Sequence, residues 1–292
     1  MRILLVSMCI LCSVVACKQP EVIKNIAVNR NGVSIAYNEC GKGDTTLLFL
    51  HGWVINKSYW DKQLEYFCSK YKVVAIDLPG FGDSGKSRQN WSFDEYTEDV
   101  KAVIDQLQLK HVILIGHSMS GDIVLNTDNK YPNLLAGIVG IDNLHEPGSP
   151  MDENAQKQTD TLFHMLSLHF DSTVSQVFKA PLFPPATDTS IINRVMNDAF
   201  HSDSTVAIKV MKSLMGIAQT EQSLMKGLSH KLYLVNSDVV PVKLDSLNKY
   251  CNKGFQVELV HNISHYPMIE KPEAFNIALQ KVIYSIGTNK AQ

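Results

Sequence analysis

Short apolar runs alternate with amphipathic segments along most of the chain. The runs TLLFL and KVVAI contain no polar interruption, which is typical of parallel strands that are buried on both faces. The segment FDEYTEDVKAVIDQLQ instead places apolar residues at helical spacing, at Tyr96, Val100, Val103 and Leu107. The pattern therefore predicts strands and helices in alternation.

The same alternation continues on both sides of these segments. Two strands flank Asn31-Gly32, a strong hairpin signal. The strand HVILIG, the helix GDIVLNTDNKY and the strand AGIVGID follow, and after a long interruption come KLYLVNS, a helix from about Val242, FQVELV and a closing helix. Alternating strands and helices predict one doubly wound, mostly parallel sheet with helices on both faces. The interruption, which contains helical stretches and the break APLFPP, is predicted to be a helical cap inserted after the sixth strand.

The first residues are distinct from the rest of the chain. Arg2 precedes an apolar run from Ile3 to Val15, which is too short to span a bilayer and is typical of a signal peptide. The run ends in Val-Val-Ala-Cys17, which resembles a bacterial lipobox, and this resemblance implies a lipidated Cys17. A simple secretory signal that is cleaved nearby is the alternative. Both interpretations predict a protein outside the cytoplasm, and the lipobox adds a membrane anchor.

Composition excludes several classes of function. The 292 residues carry a formal charge of -2, with no basic run, so neither nucleic acid nor an anionic lipid surface is an expected partner. Beyond Cys17 only Cys40, Cys68 and Cys251 remain, with no metal-ligand spacing. We expect no metal, no cofactor and at most one disulfide, and we favour buried free thiols.

The stretch GHSMSG contains two serines that could act as a nucleophile. Ser118 directly follows a strand and precedes a helix, the context of a nucleophile elbow. The positions two before and two after a nucleophile must be small. Around Ser118 these positions are Gly116 and Ser120, whereas around Ser120 one of them is Asp122. The pattern therefore predicts Ser118 as the nucleophile.

At this point the chain resembles the α/β-hydrolase family over nearly the whole mature sequence. LLFLHGW is similar to the oxyanion-hole strand of that family, DLPGFGDSG to the loop after its fourth strand, and SHYPMIEKPEAF to its histidine loop. The resemblance implies an α/β-hydrolase fold, with oxyanion donors at the backbone N–H groups of Trp53 and Met119. The expected organisation is a signal peptide (1–16), a tether (17–24), a hydrolase core in two parts (25–145 and 228–292) and the cap (146–227).

The general base and its acid partner are expected near the carboxyl ends of late strands. His265 lies in the segment that resembles the family's histidine loop, whereas His261 ends a strand, so we predict His265 as the base. The segment YLVNSDVVPV departs from the family's usual G-x-x-D turn, and Asp238 is its only carboxylate. Asp142, after the sixth strand, is the alternative acid. We favour Asp238 over Asp142.

These residues predict a serine hydrolase that cleaves a small or medium carboxylic ester, or a lactone, through an acyl-enzyme. A carbon–carbon bond hydrolase that uses the same triad is an alternative. A ligand-binding lipoprotein with a degenerate triad is another, favoured only by the irregular segment around Asp238. The sequence does not indicate the substrate or the oligomeric state.

Overall fold

The computed structural model describes residues 21–148 and 151–288. The predicted signal peptide and the first half of the predicted tether (17–20), which includes Cys17, lie outside the described residues. The tether was predicted to extend to residue 24, but the first strand already begins at Ile23. In the part of the chain that is described, no helix combines the length and the apolar character needed to cross a membrane.

One sheet of eight strands forms the centre of the molecule. Its strands are β1 (Ile23–Arg30), β2 (Val33–Cys40), β3 (Thr46–Leu50), β4 (Lys72–Ile76), β5 (Val112–His117), β6 (Leu135–Ile141), β7 (Leu232–Ser237) and β8 (Phe255–Val260). Their order is β1-β2-β4-β3-β5-β6-β7-β8. The β1–β2 and β2–β4 pairs are antiparallel, and all the other pairs are parallel. The predicted mostly parallel sheet is confirmed.

Helices connect the strands and fill both faces of the sheet. The core helices are α1 (Asp61–Phe67), α2 (Phe93–Gln106), α3 (Ser120–Lys130), α10 (Leu244–Tyr250), α11 (Pro267–Glu270) and α12 (Pro272–Thr288). Six more lie between β6 and β7: α4 (Glu153–Leu168), α5 (Phe170–Val177), α6 (Lys179–Leu182), α7 (Thr189–Phe200), α8 (Ser204–Ala218) and α9 (Glu221–Lys226). These six occupy the stretch that the sequence analysis assigns to the cap.

Neighbouring residues of the central strands point into two separate hydrophobic clusters. In β3, Leu48 and Leu50 pack into the cluster that contains α2 and α3, whereas Leu47 and Phe49 pack into the cluster that contains α12. This follows from the period of two in a strand, with both faces covered by helices. Fully apolar runs such as TLLFL are needed because neither face meets water.

The strand order reverses at β3, which lies between β4 and β5. The connections after β3 and β5 therefore diverge from adjacent strand ends, and this leaves a crevice at the carboxyl edge of the sheet. Ligands of open α/β sheets bind at such a switch point. The segment that begins at His51 follows β3, and Ser118 follows β5, so both predicted site segments meet there.

The cysteines differ from the expectation of free buried thiols. Cys40, at the end of β2, forms a disulfide with Cys68, which follows α1, and their Cα atoms are 5.5 Å apart. The separation of 28 residues along the chain gave no signal for this pairing, because only the packing of α1 beside the sheet brings the two together. Cys251 is a free buried thiol, and burial raises its pKa to about 11.

Candidate active site

Ser118 lies at a sharp turn between β5 and α3. Its φ angle is +53°, a left-handed conformation that is uncommon for a residue other than glycine and is expected at a nucleophile elbow. The turn is tight: a Cβ atom at Gly116 would lie 2.4 Å from the carbonyl oxygen of Ser120, so a larger residue does not fit. The conformation holds the Ser118 side chain at the crevice, where it lines a cavity.

Ser120 has a different environment. It is fully buried, and its hydroxyl donates a hydrogen bond of 2.5 Å to the carbonyl oxygen of His51. This bond fastens the nucleophile turn to the segment after β3. The structure therefore explains why a serine stands where the familiar motif has glycine, and it leaves Ser118 as the serine at the cavity.

His265 contacts the carboxylate of Asp142. The distance from its Nδ1 to Oδ2 of Asp142 is 2.5 Å, and Oδ1 of Asp142 accepts a hydrogen bond of 2.6 Å from the Ser237 N–H. Burial by itself would raise the pKa of Asp142, but contacts with His145 and His265 hold that pKa well below its ordinary value. An ionised Asp142 keeps the proton of His265 on Nδ1, which leaves Nε2 as the basic nitrogen.

Asp238, the acid that the sequence analysis favoured, does not make this contact. Its Oδ2 lies 3.1 Å from Nδ1 of His261, and its Oδ1 accepts a hydrogen bond from the Asn262 N–H. The choice of Asp238 is corrected in favour of Asp142. Asp142 and Asp238 follow the neighbouring strands β6 and β7, so the loop backbone decides between them: Asp142, with a left-handed φ angle of +47°, contacts His265, whereas Asp238 contacts His261.

Asparagine side chains hold the loop that carries Asp142. The Asn143 amide donates hydrogen bonds to the carbonyl oxygens of Gly116 and Ser118, at 2.9 and 3.1 Å. The Asn236 amide in turn donates to the Asn143 carbonyl, at 2.9 Å. The acid loop and the nucleophile turn are therefore directly connected, an arrangement that sequence patterns did not reveal.

The two predicted oxyanion donors lie at the same edge of the sheet. Met119 directly precedes α3, and the first N–H groups of a helix have no partner within the helix. Trp53 follows His51-Gly52, and Val54 after it has a φ angle of +53°, a strained value for a β-branched residue. Trp53 and Met119 both line the cavity that Ser118 and His265 line.

The Trp53 side chain joins the core to the cap. Its indole Nε1 donates a hydrogen bond of 2.9 Å to the carbonyl oxygen of Ala207 in α8. Its ring packs against Phe170 and Phe178 of the cap, with centroids 6.1 and 5.2 Å away. Trp53 therefore both packs and forms part of the cavity wall.

The cavity lies between the cap and the carboxyl edge of the sheet and has a volume of about 270 Å³. Apolar cap side chains form most of its wall: Val174, Phe178, Leu182, Val195, Met196, Ala199, Met211, Leu214 and Met215. Among the described residues that line it, none is Asp, Glu, Lys or Arg. The site therefore suits an uncharged, apolar group of modest size.

His117 contacts the backbone of His265, and no sequence pattern pointed to this role. Its Nε2 lies 2.8 Å from the His265 carbonyl oxygen, and the two rings are 4.8 Å apart. Burial lowers the pKa of His117 to about 3, with the charge of His265 acting in the same direction. His117 is therefore neutral, and its Nε2–H donates to the His265 carbonyl.

Comparison with known proteins identifies the fold. The model of the α/β hydrolase fold family matches residues 45–168. A thermophilic esterase from Thermogutta terrifontis superimposes with a TM-score of 0.76 at 18% identity, covering 91% of this chain and 99% of that one. The chain has the α/β-hydrolase fold.

The first curated relatives each match between 32% and 41% of the chain. A bifunctional esterase/perhydrolase of Acinetobacter calcoaceticus is 34% identical over 106 residues, which is 36% of this chain and 38% of that protein. An enol-lactonase from Burkholderia xenovorans has a TM-score of 0.74 at 14% identity, covering 90% of this chain and 100% of that one. The chain spans 26–41% of the length of the first curated relatives that it matches. These matches support the predicted α/β-hydrolase fold, and the activity, reaction and substrate are treated below as proposals.

Proposed function

We propose that the protein is a serine hydrolase that cleaves carboxylic esters with an uncharged, apolar acyl group of small or medium size. One observation carries the proposal: Ser118, on its left-handed turn, lines the same apolar cavity as His265, and His265 contacts a buried carboxylate. Nucleophile, base and orienting acid are the parts of an acyl-transfer site.

The proposed reaction has two halves. Nε2 of His265 accepts the hydroxyl proton of Ser118 while Oγ attacks the ester carbonyl, and the N–H groups of Trp53 and Met119 stabilise the oxyanion. The tetrahedral intermediate expels the alcohol, which takes the proton from His265. Water then attacks the acyl-enzyme with His265 again as base, and the carboxylic acid leaves. Asp142 stabilises the imidazolium in both halves.

The cavity supports the stated size and polarity of the acyl group. Its volume of about 270 Å³ lies at the lower end of the ~300–1,000 Å³ found for drug-sized ligands, and its wall is mainly aliphatic and sulphur-containing. The names of the relatives, an esterase/perhydrolase and an enol-lactonase among them, agree with ester or lactone cleavage. A binding protein without turnover was favoured only by the irregular segment at Asp238, and Asp142 removes the need for an acid there.

A series of p-nitrophenyl esters from acetate to laurate tests the proposal. We expect kcat/KM to rise from acetate to a short or medium chain and to fall for laurate, because the cavity is apolar but small. Ser118→Ala should lose measurable turnover, and a fluorophosphonate probe should label wild type but not this variant. Ser120→Ala is the matched control and should still be labelled. Turnover that persists in Ser118→Ala would refute the proposal.

We also propose that the protein acts outside the cytoplasm, anchored by a lipid on Cys17. The lipobox-like sequence supports the anchor, and the Cys40–Cys68 disulfide supports an oxidising compartment. Cys17→Ser should move the protein from the membrane fraction to the soluble fraction. An unchanged distribution would contradict the anchor.

A further inference from the structure

His145 lies beside the carboxylate that His265 uses. Its Nε2 is 3.5 Å from Oδ1 of Asp142, on the other side of the carboxylate from His265. That Nε2 atom is buried, and no closer hydrogen-bond partner is found for it among the described residues. Asp142 is therefore flanked by two imidazoles, of which the proposed mechanism uses only one.

The backbone of this loop directs His145 back towards Asp142. Asp142 and Leu144 both have left-handed φ angles, of +47° and +51°, which are uncommon for residues other than glycine. The His145 carbonyl oxygen accepts a hydrogen bond of 2.7 Å from the Lys243 N–H at the start of α10. Such strain persists only where the surrounding structure holds it.

We propose that His145 is a positioning residue that draws part of the negative charge of Asp142 away from His265 and thereby keeps His265 unprotonated at lower pH. This inference rests on the proposed hydrolase function. A general base works only when it is unprotonated, so its pKa sets the acidic limb of the pH–rate profile. A positively charged or donating group beside Asp142 weakens the stabilisation that the carboxylate gives to protonated His265.

The other charged groups near His145 do not take over this role. Glu146, next in the chain, and Lys243, which directly precedes α10, are both exposed to solvent. The carboxylate of Asp238, which follows β7, contacts the His261 ring. His117, packed against His265, is buried and neutral. Of the described groups around this loop, Asp142 and His265 are therefore those through which His145 acts.

The test compares the pH dependence of kcat/KM in wild type, His145→Gln and His145→Ala. Glutamine keeps a hydrogen-bond donor near Asp142 but cannot take up a proton. Alanine removes both the donor and the protonation. We expect the acidic limb to move to higher pH by about one unit in His145→Ala, as is common when a charge within ~4–6 Å is lost, and by a smaller but measurable amount in His145→Gln. His261→Gln is the matched control, because its partner is Asp238, and its profile should coincide with that of wild type.

A second measurement does not depend on turnover. In a Ser118→Ala background, NMR titration of the His265 ring should show a higher pKa when His145 is replaced by glutamine. An acidic limb and a His265 titration that stay unchanged, or move to lower pH, in folded variants overturn the inference about His145. Absence of turnover in wild type, or turnover that survives Ser118→Ala, instead refutes the proposed function.

Discussion

Replacing Asp142 by asparagine gives the sharpest test of the candidate site. The wild-type carboxylate is 3% exposed and accepts from both His265 and the Ser237 N–H. In Asp142→Asn the amide oxygen can still accept from the Ser237 N–H, which leaves the amide N–H facing Nδ1 of His265. His265 then carries its proton on Nε2 and cannot accept one from Ser118.

The expected loss of kcat is large because the variant lacks the negative charge at position 142 and holds His265 in the wrong tautomer. Comparable replacements in serine hydrolases reduce kcat on the order of 10⁴-fold, which corresponds to about 5.4 kcal/mol of lost transition-state stabilisation. Asp238→Asn is the matched control, since the hydrogen bonds that its carboxylate makes with described residues are those with the exposed His261 ring and the Asn262 N–H. We expect Asp238→Asn to change kcat less than about twofold, as is usual for exposed pairs.

Both variants should be assayed with a p-nitrophenyl ester at neutral pH, and their melting temperatures should be measured in parallel. A loss in Asp142→Asn without unfolding supports the assignment of the acid. If Asp238→Asn loses as much activity as Asp142→Asn, or if Asp142→Asn keeps more than about a tenth of wild-type kcat, the assignment is wrong.

Two further predictions concern stability. Burial and the neighbouring Glu221 hold the pKa of Asp122 well above its ordinary value, and burial also raises the pKa of Glu221. Above the ordinary carboxyl range the folded state therefore binds more protons than the unfolded state, and the free energy of unfolding falls as the pH rises. Asp122→Asn should therefore raise the Tm by about 2–4 °C in mildly alkaline buffer but not in acid, and equal shifts at both pH values would contradict this. The Cys40–Cys68 disulfide closes a loop of 28 residues, so Cys40→Ser should lower the free energy of unfolding by roughly 3–4 kcal/mol, measured with denaturant. A reducing agent should lower the stability of wild type but not of the variant, and an equal effect on both would argue against the bond.

Local patterns were sufficient for the fold and for the position of Ser118 at a strand-to-helix turn. Uninterrupted apolar runs indicate strands buried on both faces, and the small residues around Ser118 fit a strand-to-helix turn that the structure contains. Both features depend on residues that are close together in the chain. The contact of His265 with a carboxylate was also expected, because its loop follows the last strand.

The sequence could not predict whether Asp142 or Asp238 contacts His265. Each of the two aspartates directly follows a strand, and the carboxyl ends of both strands lie at the same edge of the sheet. A sequence pattern therefore gives no reason to prefer one of them. The backbone of each loop decides which one faces His265. The cavity wall from the cap and the neighbours of His145 depend likewise on packing between distant segments.

The sequence by itself determined the order of strands and helices, the α/β architecture and the serine at the strand end, because periodicity and turn chemistry are local properties of the chain. Only the tertiary structure decided which carboxylate contacts the histidine, which cysteines are bonded and which side chains enclose the cavity. Those contacts join residues such as His265 and Asp142, 123 positions apart, and only the packing of the whole sheet and its helices sets such distances.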